Sequence, residues 1–251
     1  MFPRLFRGVE NDEIDELRSP MVRSRNAKEI VENVPGCEGK YKLEEYAVFT
    51  PEGYILILHR LRMNCSVIQD AEGETEEFGD DGIYKKRSGR GNGKKRPPVL
   101  LNHGAMMTSE AWLTAPSRMI SNNGKGNGNQ IPCTLPHVLL HSGYDVWIAN
   151  RRGNKYSCKH THLSIHDPAY WNFSLDEPAC RDLPAVVDFV REATGHGQVS
   201  LIGFSQGAAE TLASLSMVKG MEKKVNIAIL LAPTTKPRGT TRFIYALFLI
   251  L

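Results

Sequence analysis

Gln198-Val199-Ser200-Leu201-Ile202-Gly203-Phe204-Ser205-Gln206-Gly207-Ala208-Ala209-Glu210-Thr211-Leu212 is the stretch on which the reading of this chain turns. Its first five residues form a short, mostly apolar run, the pattern of a buried parallel strand. From Gln206 to Val218 the chain is rich in Ala and Leu and free of Pro. There Ala208, Leu212 and Leu215 recur at the spacing of a helix packed on a sheet. Between the two lies G-x-S-x-G. Alone, that pattern is weak, because average Gly and Ser usage produces it in about one chain in ten of this length. Between a strand and a helix it acquires a mechanical meaning. A tight turn holds Ser205 in a left-handed conformation that costs about 1–3 kcal/mol. Gly203 and Gly207 leave the room that side chains would fill. The helix N-terminus then aims unpaired N–H groups and a partial positive charge at the serine hydroxyl. The expectation is a nucleophile elbow on an α/β scaffold.

Composition narrows the rest. The 251 residues fit one domain with one core, and a net charge of +3 gives no electrostatic case for nucleic acid. Five cysteines, Cys37, Cys65, Cys133, Cys158 and Cys180, are widely spaced and lack CxxC pairing, which argues against a disulfide framework and a zinc site. No cofactor or metal is expected. Met1–Arg7 has no apolar core of signal-peptide length, and the longest apolar run, Phe243–Leu251, is too short to span a membrane.

Working outward along the chain, residues 1–25 are charged and turn-rich and read as a poorly ordered segment. Ala27–Val34 reads as a short helix stopped by Pro35-Gly36. Glu44–Thr50 and Tyr54–Leu61 read as a hairpin around Pro51-Glu52-Gly53. Asp70–Asp81 carries seven acids and Lys85–Arg96 seven bases among Gly and polar residues, so 67–97 reads as a disordered insertion. Its basic half leaves contact with anionic lipid headgroups open beside the plainer reading, a solvated loop. Pro98–Leu101 is a strand leading into Asn102-His103-Gly104, Ser109–Leu113 is helical, and 122–129 is a second Gly/Asn-rich insertion. Leu135–His141 is a helix closed by Gly143, and Tyr144–Ala149 is a strand. Ser174 and Glu177 have capping-box spacing ahead of a helix with the apolar stripe Leu183, Val186, Val187, Val190, which Pro184 is expected to kink. Val225–Leu231 reads as a further buried strand. Alternating strands and helices predict a mostly parallel sheet, of which about six strands are present.

Several motifs in this order resemble the acid lipase family of α/β-hydrolases, the gastric and lysosomal acid lipases and the fungal steryl ester hydrolases. They are Pro51-Glu52-Gly53-Tyr54, Asn102-His103-Gly104, Gly143-Tyr144-Asp145-Val146-Trp147, Asn150-Arg151-Arg152-Gly153-Asn154-Lys155-Tyr156-Ser157, Trp171-Asn172-Phe173-Ser174-Leu175-Asp176-Glu177 and the elbow. The resemblance covers roughly 26–238, and 239–251 is a divergent apolar tail. It implies a hydrolase of lipid esters, triacylglycerol or steryl ester, with Ser205 as nucleophile. The backbone amides of Gln206 and Ala105 would form the oxyanion hole, one donor after the nucleophile and one from the loop after the third core strand. It implies no cofactor. An intracellular location is expected, with contact to a membrane or lipid-droplet surface.

The sequence also departs from that family. In this fold the triad acid and then the histidine follow the serine, yet 206–251 contains only Glu210 and Glu222 as acids, and all eight histidines lie at or before His196. The family's cap domain and last strands are missing as well. The expectation is therefore an incomplete triad, and the rival is an inactive fragment or pseudoenzyme that binds lipid or protein. His103 is read as a side chain that pins its loop rather than as a substitute base. His137, His141, His160, His162 and His166 are read as scattered surface histidines rather than metal ligands. Arg152 and Asn154 are read as fixing a loop near the site.

Overall fold

The computed structural model describes residues 27–34, 37–64, 76–78, 84–86, 95–114, 119–121, 130–132 and 134–235. Segment 1–25, insertion 122–129 and the tail 239–251 lie outside them. Within 67–97, strands Glu76–Phe78 (β3) and Tyr84–Lys86 (β4) pair antiparallel, with Glu76 opposite Lys86 in register. Met119–Ser121 (β6) and Gln130–Pro132 (β7) form a second such pair on either side of 122–129.

Among the described residues, the main sheet has seven strands. Tyr41–Phe49 (β1) and Tyr54–Met63 (β2) form the antiparallel hairpin read from the sequence, and β2 then pairs antiparallel with Asp145–Ile148 (β8) and Lys159–His160 (β9). From β8 inward the sheet is parallel, through Pro98–Asn102 (β5), Val199–Phe204 (β10) and Val225–Leu231 (β11). The order is β1-β2-β8-β5-β10-β11. This is the mostly parallel α/β sheet of the α/β-hydrolase fold.

Strand alternation divides the core between the two faces. Ile55, Ile57, Val99, Leu101, Val146, Ile148 and Ile202 face one way. They pack under helices Ala27–Glu32 (α1), Glu110–Leu113 (α2) and Leu135–His141 (α3) through Ala27, Val31, Leu113 and Leu140. Leu56, Leu58, Leu100, Trp147 and Leu201 face the other way, against the stripe of helix Leu183–Thr194 (α4). Leu183, Val186, Val187 and Val190 are all buried, as the periodicity predicts.

Three expectations are corrected here. The Pro184 kink is instead a widened turn. Pro178–Asp182 is π-helical, and the Leu183 N–H reaches back to the Pro178 carbonyl. Pro184 has no N–H to offer the preceding turn, and the helix takes up the mismatch there. On helix Gln206–Met217 (α5), Leu212 is exposed, and the buried face is Gly207, Ala208, Thr211 and Ser214. Small side chains let the helix lie close to the strand it leaves, and Glu210 is buried with them on partners from the neighbouring loops. Finally, β11 is not fully buried. It is the sheet edge among the described residues, with Ile227, Ile229 and Leu231 exposed. Among the same residues, no helix is long and apolar enough to cross a membrane.

Candidate active site

The parallel strands β5, β8 and β10 end at one rim of the sheet, in the register Asn102↔Gly203 and Leu101↔Ile148. Loops following parallel strands gather at such a rim, and ligands bind there. Three segments meet: Asn102–Thr108, Asn150–Tyr156 and the turn at Ser205.

Ser205 joins β10 to α5 with φ 53° and ψ −113°. Its N–H donates to the Leu231 carbonyl at 2.8 Å, extending the β10–β11 pairing by one bond, while its own carbonyl accepts the Ala208 and Ala209 N–H groups and starts the helix. Both glycines are compelled by backbone contacts. A Cβ on Gly203 would sit 2.6 Å from the Gly207 carbonyl oxygen, and one on Gly207 would sit 2.4 Å from that of Asn102 and 2.6 Å from that of His103. Among the described residues, the positive-φ residues other than glycine are Met106, Ser205 and Ala232. All three surround one point: Met106 follows Ala105, and Ala232 follows the carbonyl that receives the Ser205 N–H. Such strain persists where surrounding structure over-determines it, and it concentrates at functional sites.

The loop after β5 lies against the serine. A Cβ on Gly104 would come within 3.2 Å of the Ser205 Cβ. Ala105 and Gln206 line a common cleft of about 310 Å³. Neither amide N–H finds a protein acceptor among the described residues. The rim carries Met106, 75% exposed, and Trp171, 50% exposed, with Met107 and Phe173 beside them. The cations in the lining are all ion-paired: Arg151 Nε with Glu210 Oε1 at 2.8 Å, Arg152 Nη2 with Asp182 at 2.5 Å and Glu52 at 2.8 Å, Lys155 with Glu110 at 2.5 Å.

His103 is buried, and its partners fix its tautomer. The Gly104 carbonyl, 2.8 Å from Nδ1, only accepts, so Nδ1 carries the proton. The Arg151 backbone N–H and the Asn154 amide, each 3.3 Å from Nε2, donate, so Nε2 is bare. Burial, and then the nearby Arg151 charge, push its pKa down to about 4. The ring thus ties the loop after β5 to the loop after β8 and is not directed at Ser205. The Ser205 hydroxyl meets Thr234 Oγ1 at 3.3 Å and, among the described residues, no imidazole. Asn154 accepts the Tyr156 and Ser157 N–H groups, and Arg152 is buried under Tyr54, 3.9 Å from its ring centre, holding Asp182. Both therefore fix the loop as read from the sequence.

The surface reading fails for His137, which is fully buried with Nδ1 on Thr134 Oγ1, and for His141, which is half-buried on the Tyr41 hydroxyl. His160 Nδ1 caps the turn at His162 and Leu163. Among the described residues, no group of three or more His, Cys, Asp or Glu is placed to hold a metal ion.

Sequence reasoning missed Glu210 and Asn102 as partners. Glu210 Oε2 accepts from Asn102 Nδ2 at 2.9 Å deep beneath the cleft. The available signal was a lone carboxylate inside the small-residue run Gly207-Ala208-Ala209-Glu210-Thr211.

Residues 97–248 match the family described as "alpha/beta hydrolase fold", and residues 38–116 match a "partial alpha/beta-hydrolase lipase region". The chain is 35% identical over 236 residues to a probable lipase of Schizosaccharomyces pombe, covering 94% of this chain and 43% of that one. It is 33% identical over 190 residues to the lysosomal acid lipase/cholesteryl ester hydrolase of Macaca fascicularis, covering 76% of this chain and 39% of the relative. With the gastric triacylglycerol lipase of Mus musculus it shares 32% over 200 residues, covering 80% and 42%. The chain therefore spans roughly two-fifths of the length of these curated relatives.

Proposed function

Because the chain belongs to the alpha/beta hydrolase fold family and carries its lipase region, we propose that it acts on lipid esters, with Ser205 as nucleophile. The observation that carries this reading is the positive-φ Ser205 beside a cleft lined by Ala105 and Gln206, whose amides have no acceptor among the described residues. Ser205 Oγ attacks the ester carbonyl carbon, the two amides stabilise the oxyanion, the alcohol leaves, and water releases the acid from the acyl-serine. Ion-paired cations and a rim of Met and aromatic side chains suit a neutral, apolar ester better than an anionic substrate. Triacylglycerol or steryl ester, met at a membrane or lipid-droplet surface, is the substrate class. The Ser205 proton passes to a base and on to the departing alkoxide; among the described residues no imidazole reaches Ser205, and no residue of this chain is assigned that role.

That same missing contact favours a second reading, a lipid- or protein-binding module without turnover. One assay separates the two. Hydrolysis of a short-chain chromogenic ester by the wild-type chain is compared with that by Ser205→Ala. The about 10³–10⁴-fold over water that an oxyanion hole and substrate binding retain after loss of triad members survives removal of the serine as well, so it sets the Ser205→Ala background above which the enzyme reading requires the wild-type rate to rise. Indistinguishable traces would remove the enzyme reading.

A further inference from the structure

Glu210 is the one carboxylate on the helix that begins at the elbow, five residues past Ser205, and its side chain is 3% exposed. An ionised carboxylate is held at such a depth only by specific partners. Its partners come from the two loops that complete the cleft. Oε2 accepts from Asn102 Nδ2 at 2.9 Å, and Asn102 is the last residue of β5, three residues before Ala105. Oε1 lies 2.8 Å from Arg151 Nε, and Arg151 opens the loop after β8. That contact is an ion pair with the N–H directed past the oxygen rather than a hydrogen bond. Arg151 also donates its backbone N–H to His103, one residue before Gly104. Around Glu210, therefore, the elbow helix, the loop carrying Ala105 and the loop lining the far side of the cleft are tied at a single buried carboxylate.

We propose that Glu210 is a positioning residue: through Asn102 and Arg151 it fixes the Asn102–Ala105 loop against the elbow helix, and so sets the spacing of the Ala105 and Gln206 amides. The clamp rests on the hydrolase reading only for its consequence in catalysis; as a mechanical tie it stands apart. An ordinary core residue in this place would bind nothing on the two loops. The other charged groups packed around Glu210 are Asp182 and Arg152, which pair with each other and leave Arg151 as its counter-charge. Removing the charge of Glu210 strands the Arg151 guanidinium, which lines the cleft as well as the interior. Neutralising both partners removes that fault and leaves amides able to bridge.

The test uses the full chain and two readouts. Amide hydrogen exchange is followed in the Ser205→Ala background, so that it is independent of turnover. Glu210→Gln is expected to speed exchange across 103–107 by about tenfold or more, while the β1–β2 hairpin amides stay unchanged. Asn102→Ala, which cuts one neutral tie, is expected to act on the same segment and serves if Glu210→Gln does not fold. In the Ser205 chain, Glu210→Gln is expected to lower kcat on a short-chain ester by about tenfold or more with KM nearly unchanged, and Arg151→Gln with Glu210→Gln to regain most of it. Unchanged exchange at 103–107 in both variants overturns the clamp. Faster exchange with an unchanged kcat overturns its role in setting the two amides. If the wild-type chain shows no Ser205-dependent turnover, the hydrolase reading fails instead, and the exchange result alone decides the clamp.

Discussion

Acid will destabilise this fold through His137, and the amount follows from where the ring sits. His137 is fully buried on helix α3, with Nδ1 on the Thr134 hydroxyl at 2.5 Å and the Tyr41 ring edge-on at 4.6 Å. Its Nε2 has no partner among the described residues, so protonating the ring would bring a full charge and an N–H on each nitrogen into a site with no acceptor at Nε2. Burial, and then the neighbouring His141, hold its pKa at about 4, against about 6.5 in an unfolded chain. Between those values the unfolded chain takes up a proton that the folded one refuses. The contribution is therefore complete above the unfolded value and is lost as pH falls toward the folded one. Integrating the linkage from about pH 7 to about pH 4.5 gives a loss of about 2.4 kcal/mol from this single group. Urea denaturation at the two pH values, on wild type and on His137→Gln, isolates it, because every other titrating group cancels in the comparison. The wild type is expected to lose about 2 kcal/mol more than the variant on acidification, at equal m-values. Losses agreeing within about 0.5 kcal/mol would refute the assignment of His137 as a neutral, desolvated core residue. His103, also held at about 4 by burial, acts in the same direction and adds loosening of the cleft loop to the loss of global stability.

Two further outcomes test the packing around the site. Gly207→Ala places a methyl 2.4 Å from the Asn102 carbonyl oxygen and is expected to cost about 3 kcal/mol or more. Gly197→Ala, where nothing lies within 4 Å, is expected to stay within about 0.5 kcal/mol of wild type; thermal or urea unfolding of the two variants side by side checks the contrast. Asp182→Asn leaves the Arg152 guanidinium, 1% exposed, with only the exposed Glu52 as an anionic partner, and is expected to cost about 3–5 kcal/mol by urea titration.

What could be read from the sequence was whatever the backbone imposes locally. Gly203 and Gly207 are legible because a sharp turn allows no Cβ there, and the neighbouring carbonyls stand within 2.4–2.6 Å of where one would be. The stripe Leu183, Val186, Val187, Val190 is legible because one helix face meets one sheet face. Less was legible where two distant segments decide the outcome. Leu212 looked like core because periodicity registers apolar residues, whereas the closeness of α5 to the sheet favours Ala208, Thr211 and Ser214. His137 looked polar and therefore exposed, yet Thr134, one helical turn away, meets its Nδ1 internally and the ring packs on Tyr41. The Arg151–Glu210 pair joins residues 59 positions apart (210 − 151), a separation that leaves no periodic trace.

The one-bond extension of β10–β11 pairing has a consequence for how the protein is made. The β1–β2 hairpin joins neighbouring segments and can close while the ribosome is still translating the rest. The Ser205 amide, by contrast, finds its acceptor only in Leu231, a residue synthesised 26 positions later (231 − 205). The turn at Ser205 is thus locked after the hairpin. In a nascent chain the Ser205 N–H lacks this acceptor until β11 has cleared the exit tunnel and docked.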